Sequence, residues 1–190
     1  MKVNRFGQAS IFKKDTYLKI RKNLLTDSHK LFSDLAWFTA ERPSAILQLK
    51  VDDVYIDPTL RKVRNCVIYR GAIRKTNDTR ECPVSTELTA RLRAFDPTSS
   101  KWLFPSLIKA DSHLSLRAMD RAFRRSLARC ALEQEGYSLY SFRRSALTTL
   151  RNAGYDIRAI QAFSGHKSLS SLARYLDIPT SELNSMTEFL

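Results

Sequence analysis

The stretch SGHKSLSSLARYLDI, residues 164 to 178, contains two side chains that can do chemistry, the imidazole of His166 and the phenol of Tyr175. It also reads as an ordinary helix entered through a glycine turn, with Leu169, Leu172 and Leu176 at helical spacing. Packing residues and a reaction centre both fit at this point. Other positions suit an anion. Arg42 stands at the start of a short helix through SAILQLK, with Pro43 in its first turn and outward-pointing amides of partial positive charge. Tyr140 and Arg143 are three apart near the start of another helix and share a face, while Phe142, Ala146, Leu150 and Ala153 point to the core. Lys75 sits near the tip of the turn in AIRKTNDTRECPVS, a flexible element that reaches over a ligand; standing alone, it is an ordinary solvated lysine.

The elements that must position these groups are mostly helical. Residues 11 to 40 give two helices broken near TDSH, where Thr26, Asp27 or Ser28 caps the second. Between Val51 and Ser85 the texture turns to β: VDDVYID, KVRNCVIYR and RECPVS predict a three-stranded antiparallel sheet. Helices return in STELTARLRAF, in GYSLYSFRRSALTTLRNAG and in YDIRAIQAFSG, the last two ending at glycine. In LSLRAMDRAFRRSLARC, Leu116, Met119, Phe123, Leu127 and Cys130 make one apolar stripe, and Arg117, Arg121, Arg124, Arg125 and Arg129 fall on the opposite face. Such a row of planar guanidinium groups suits phosphate oxygens, and a solvated basic face is the plainer alternative. The whole is one mainly helical α+β domain carrying a small sheet.

Composition points the same way. The 190 residues hold 32 Lys and Arg against 19 Asp and Glu, a formal net charge of +13 that favours a polyanionic partner such as nucleic acid. No apolar run approaches the roughly 20 residues of a spanning helix, and MKVNRFGQAS lacks the apolar core of a secretory signal, so a cytoplasmic protein is expected. Cys66, Cys82 and Cys130 are odd in number and far apart, and read as reduced thiols. With three histidines, no HExxH and no ligand-spaced carboxylates, neither a bound metal nor a two-metal nuclease is expected. Asp52 and Asp53 read as solvated charges at a strand end. The five glycines are scattered, with no Walker A or GxGxxG pattern, so no nucleotide cofactor is expected either.

FTAERPSAILQLKVDDV, KTNDTRECPVS, WLFPS and YSLYSFRRSALTTLRNAGYDIRAIQAFSGHKSLSSLARYL resemble, in order and spacing, the catalytic domain of the tyrosine recombinases, the phage-integrase family. The resemblance covers roughly residues 30 to 178. It implies a DNA breaking-rejoining fold over residues 1 to 190, with the arginine after a TGLR-type helix at Arg42. The hairpin lysine, eight residues before a proline, is matched by Lys75 and Pro83. The box three residues before an arginine is matched by Tyr140 and Arg143, the GH by Gly165 and His166, and the nucleophile nine residues further on by Tyr175. The implied reaction is metal-independent DNA strand transfer through a 3′-phosphotyrosine link. Arg42 and Arg143 would clamp the phosphodiester, His166 would donate to it or manage the Tyr175 proton, and Lys75 would protonate the departing 5′-oxygen. The implied partners are double-stranded DNA, contacted by Arg117, Arg121, Arg124 and Arg125, and further copies of the chain, as a dimer to tetramer on DNA.

The chain departs from the family pattern at several places. Ala45 stands where an acidic residue is usual, with Glu41 nearby as a substitute. Tyr140 and Arg144 stand where histidines are common, and Ser164 replaces the usual leucine before GH. Only about 30 residues precede the resemblance, so no separate N-terminal DNA-binding domain is expected, and the chain is a short recombinase or a catalytic fragment. The tail over 179 to 190, with Leu183, Met186, Phe189 and Leu190, docks on a neighbouring subunit or on its own core. Two other readings compete: an inactive recombinase-like DNA-binding protein, and a helix-turn-helix regulator built on residues 156 to 176.

Overall fold

The structure is a computed structural model and describes residues 8–176. KDTYLKIRK forms α1 (Lys14–Lys22) and DSHKLFSDLAWFT forms α2 (Asp27–Thr39). Thr26 is the residue that caps α2, its hydroxyl accepting from the His29 amide at 3.2 Å and satisfying one of the helix's orphan donors. The helix stops where Ala40 turns left-handed (φ 49°), and Pro43 opens α3 (Pro43–Leu47) with Arg42 at its N-cap. Glu41 and Arg42 therefore occupy the corner between two helices, where the chain has little freedom to move them.

Central to the domain is α2, which packs against α1, α3, α4 (Thr86–Ala94) and α6 (Leu139–Asn152). Its buried Asp34 accepts from the Tyr17 hydroxyl at 2.5 Å, Arg21 Nε at 2.6 Å and Arg91 Nη1 at 2.9 Å, tying α1, α2 and α4 through one carboxylate. Tyr17 stacks on Trp37 with ring centroids 4.8 Å apart, while Phe12 stacks on Trp37 and Phe142 meets Phe12 and Tyr17 edge-on.

The sheet differs from expectation. Among the described residues, four short strands make two separate antiparallel pairs, β1 (Tyr55–Asp57) with β2 (Lys62–Val63) and β3 (Cys66–Tyr69) with β4 (Arg80–Pro83). What read as one strand, KVRNCVIYR, divides at Arg64 and Asn65: the Arg64 amide donates to Val54, and the Asn65 carbonyl accepts from Val84. The start of VDDVYID is a 3₁₀ turn, because the Asp53 carboxylate accepts the Lys50 amide at 2.8 Å and closes a local cap that competes with the ladder. Asp53 is accordingly not a solvated strand-end charge; it is buried and paired with Arg70 at 2.7 Å.

The Arg-rich helix is α5 (Leu116–Arg129). Met119, Phe123, Leu127 and the capping Cys130 are buried, whereas Leu116 at the first turn is exposed and drops out of the stripe. Arg117, Arg121, Arg124 and Arg125 are exposed, and Arg124 pairs with Asp120 at 2.8 Å. On α6, Phe142 and Ala146 are buried, but Ala153 lies past the last turn and is exposed. Asp156 caps α7 (Ile157–Ser164) by accepting two amides, and Gly165 ends it with φ 65°. After Ser168, α8 runs for five residues (Leu169–Ala173). Leu172 joins Ala40, Ala146, Leu147 and Ile160 in a second small core, with Tyr175 and Leu176 packed on its edge, while Leu169 is exposed. That second core presses the α7–α8 corner onto α6 and onto the corner that holds Glu41 and Arg42. The tail over 179 to 190 lies outside the described residues. Among those described, no helix is long and apolar enough to cross a membrane.

Candidate active site

A single buried carboxylate organises the site. Glu41 Oε2 accepts from Arg74 Nε at 3.2 Å and Arg80 Nη1 at 3.0 Å. Its Oε1 accepts the Arg42 amide at 2.8 Å and Arg143 Nη1 at 3.4 Å, and the Arg42 guanidinium lies 3.8 Å away. Burial works to raise the pKa of Glu41, but Arg143, Arg80, the Arg42 amide and Arg74 outweigh it and hold the carboxyl below its ordinary range. Four guanidinium groups around one carboxylate leave a formal surplus of three positive charges. Arg42 Nη1, Arg74 Nη2 and Arg143 Nε are buried donors without a protein acceptor. An unmatched buried donor costs roughly 1–3 kcal/mol, so three of them beside surplus charge suit an oxyanion.

Arg143 is wholly buried and fixed from several sides. Nη1 also donates to the Ala40 carbonyl, and Nη2 donates to Ser164 O at 3.1 Å and approaches His166 Nε2 at 3.0 Å. Burial lowers its pKa to about 10, with Glu41 opposing and Arg42 adding to the fall, so it remains a cation at neutral pH. Burial, then Arg143 and Arg42, push the His166 imidazole down to about 3. His166 is therefore neutral at physiological pH. Tyr175 completes the group: its ring centroid lies 4.9 Å from that of His166 and 5.3 Å from the Arg143 guanidinium carbon. Thr148 Oγ1 donates to the Tyr175 backbone carbonyl at 3.3 Å and fixes that end of the chain against α6.

Of the residues singled out in the sequence, Arg42, Arg143, His166 and Tyr175 are thus gathered in one place. Lys75 and Tyr140 are not. Lys75 is exposed, yet the turn that bears it is anchored rather than loose, because Arg74 beside it reaches Glu41 and donates to the Asp78 carbonyl at 2.6 Å. Tyr140 lies one turn before Arg143 and is 40% exposed, and its side chain makes no hydrogen bond among the described residues. Sequence reasoning passed over Arg74, Arg80 and the hydroxyl of Ser164. Arg80 had a signal: it shares the inward face of β4 with Cys82, and a charge on an inward strand position needs a buried partner. It lies between the rings of Tyr69 (5.8 Å) and Phe163 (5.3 Å). Arg74 had none, being one more basic residue in a basic turn. Among the described residues no group of three or more His, Cys, Asp or Glu is arranged to hold a metal.

Gly165 is required twice over. Its φ of 65° strains any other residue, and a Cβ there would collide with Arg74 Nη2, which Glu41 and Asp78 hold in place. The left-handed backbone alone costs roughly 1–2 kcal/mol. Gly165→Ala is expected to lower the melting temperature by several degrees, at about 2–4 °C per kcal/mol for a chain of this size. A variant that melts with the parent would mean that neither the left-handed backbone nor Arg74 opposes a side chain at this position.

Fold and site together define a class. The model of the phage integrase family matches residues 12–182, and the chain belongs to that family. Among curated proteins it is 27% identical over 128 residues to tyrosine recombinase XerD of Rhizobium meliloti (strain 1021), covering 64% of this chain and 40% of that protein. Its fold is similar to that of XerA recombinase, with TM-score 0.73 and 19% identity over 94% of this chain and 62% of the other. It is also similar to XerH site-specific recombinase bound to its difH substrate in a pre-cleavage complex (0.69, 18%, 97% and 56%). A lambda integrase dimer bound to a COC′ core site is comparable (0.68, 19%, 90% and 48%). The chain therefore spans 40% of that curated relative and between 48% and 62% of these solved chains. The helix-turn-helix alternative gains nothing from the fold, since α8 has five residues and spends Leu172 on the domain's own second core.

Proposed function

We propose that this chain is the strand-cleaving and rejoining part of a site-specific DNA recombinase that acts on double-stranded DNA in the cytoplasm as a homo-oligomer. One observation carries the reading: the Tyr175 ring lies against His166 and the Arg143 guanidinium, beside surplus positive charge and unmatched Arg donors. A phenol has an unperturbed pKa near 10, so attack on phosphorus requires proton removal from Tyr175 and stabilisation of the charge growing on the non-bridging oxygens. Arg42 Nη1 and Arg143 Nε are donors for those oxygens once the Tyr175 ring, which covers the Arg143 guanidinium in the free protein, moves aside to admit the phosphodiester. The neutral imidazole of His166 accepts the Tyr175 proton at Nε2. Its basicity in the free protein is held down in part by Arg143 and Arg42, and a bound phosphodiester, by offsetting those charges, raises it. Lys75, one residue from the anchored Arg74, supplies the proton to the departing 5′-oxygen. The phosphodiester's energy is retained in the 3′-phosphotyrosine bond, so another 5′-hydroxyl reverses the step.

Incubation with a duplex nicked beside the cleavage point is expected to yield a protein–DNA adduct that resists denaturant and is destroyed by protease; no adduct on any cognate duplex would overturn the reading. The exposed arginines of α5 bind the DNA backbone. Changing Arg121, Arg124 and Arg125 together to Ala should flatten the slope of log affinity against log salt by about two to three, at roughly 0.9 for each phosphate that is no longer neutralised. The lower figure allows for Arg124, already occupied with Asp120. An unchanged slope would leave this face as solvated surface.

A further inference from the structure

We propose that Ser164 is a positioning residue: it holds His166 as the Nδ1–H tautomer and thereby keeps Nε2 as the ring nitrogen that receives the Tyr175 proton. This rests on the strand-transfer reading above and adds a residue to it.

Donors and acceptors around the ring decide the tautomer. Ser164 is fully buried at the end of α7, and its Oγ lies 2.6 Å from His166 Nδ1. Arg143 Nη2 lies 3.0 Å from Nε2 and 3.3 Å from Nδ1, which seats it over the face of the ring and not on either in-plane lone pair. The imidazole is neutral, and the short Oγ–Nδ1 contact places its one proton on Nδ1, leaving the in-plane Nε2 lone pair for an incoming proton. The proton's acceptor is Ser164 Oγ, whose own hydrogen goes to the Gln161 carbonyl at 3.2 Å, the back-bond common for serine within a helix. His166 and Ser164 thus each donate to the next group in one direction, ending at the Gln161 carbonyl. Ser164 also fixes the other partner, since its carbonyl accepts from Arg143 Nη2 at 3.1 Å. A leucine at 164 would keep that carbonyl and lose the acceptor for Nδ1–H. When Tyr175 attacks, its phenolic proton passes to Nε2, its oxygen bonds to phosphorus, and the bond to the 5′-oxygen breaks. The imidazolium left behind donates from Nδ1 to Ser164, which stabilises it.

The test is nitrogen NMR of the ¹⁵N-histidine-labelled protein, read at the His166 ring, together with the rate of adduct formation on the nicked duplex. In the parent, Nδ1 should show the protonated-type shift and Nε2 the lone-pair type. Ser164→Ala should mix the two forms and slow adduct formation by roughly tenfold, a part of the 10²–10⁴ that proton-transfer assistance supplies. Ser164→Thr, which keeps the hydroxyl, should retain both properties. A parent carrying its proton on Nε2, or an Ala variant with an unmixed Nδ1–H ring or an unchanged rate, overturns the proposal. If the alanine protein does not fold, the parent spectrum and the threonine variant still decide. Absence of any adduct from the parent, with the tautomers as expected, would count against the recombinase reading and leave the Ser164–His166 pairing standing.

Discussion

Tyr175→Phe is expected to abolish the covalent adduct with a nicked duplex, by about 10⁴-fold or more, the scale on which removal of a nucleophile acts. The change deletes one oxygen. It keeps the ring that packs beside His166 and over Arg143, and the Thr148 bond is to the backbone carbonyl, so the position of residue 175 is preserved. Duplex binding should therefore stay within a factor of about two, as expected for a surface change of a few tenths of a kcal/mol. Denaturing electrophoresis measures the adduct, and a mobility shift at fixed salt measures binding. An adduct that persists in the Phe variant moves the nucleophile elsewhere, with the exposed Tyr140 and Tyr155 as the next candidates. Loss of binding along with the adduct would instead show that the hydroxyl holds the fold or the DNA.

The parts of this molecule that were legible in its sequence are those decided locally. The break between α1 and α2 was visible because Thr26 caps, the start of α3 because Pro43 sits in its first turn, and the end of α7 because Gly165 takes a left-handed turn. The α5 stripe was legible by period alone, except at Leu116 in the first turn, which is exposed. What was misread depends on partners outside the local pattern. VDDVYID has strand-like residues, but the Asp53 side chain caps the Lys50 amide and pairs with Arg70, and neither interaction leaves a mark in β propensity. Arg74 and Arg80 reach Glu41 across 33 and 39 residues, so their role could not be seen from spacing. Leu169 has the spacing of a packed residue, but α8 is too short to bury more than one of its faces. Glu41 was half legible. The missing acid at Ala45 raised the need for a nearby carboxylate, and only the fold shows that Glu41 bonds Arg74, Arg80 and Arg143 at once.

That arrangement makes Glu41→Gln the substitution with the largest expected effect on stability. The amide fills the same space and can still accept hydrogen bonds, but Arg74, Arg80 and Arg143 then share a buried site with no counter-charge. Removing one partner of a buried ionic cluster costs about 3–5 kcal/mol, which corresponds to a drop of roughly 10 °C in Tm for a chain of this size. The pH dependence has a definite sign. The folded-state pKa of Glu41 is held below its usual 4.5, so its ionised form stabilises the parent fully above that value and progressively less as pH falls through the lower folded value. The gap in Tm between parent and Glu41→Gln should therefore be widest near neutrality, begin to shrink below about pH 4.5, where the unfolded chain takes up the proton, and close as pH falls through the lower folded-state value. Duplex DNA adds a second signature. On the proposed reading, a phosphodiester bound at Arg42 and Arg143 would replace part of the missing negative charge, so saturating duplex should raise the melting temperature of the variant more than that of the parent. Thermal melts at about pH 7 and about pH 4, with and without duplex, measure all of this. A Gln variant that melts with the parent near neutrality would show that the arginines need no buried counter-charge, and a DNA-induced shift equal in both proteins would separate the Glu41 cluster from the phosphate.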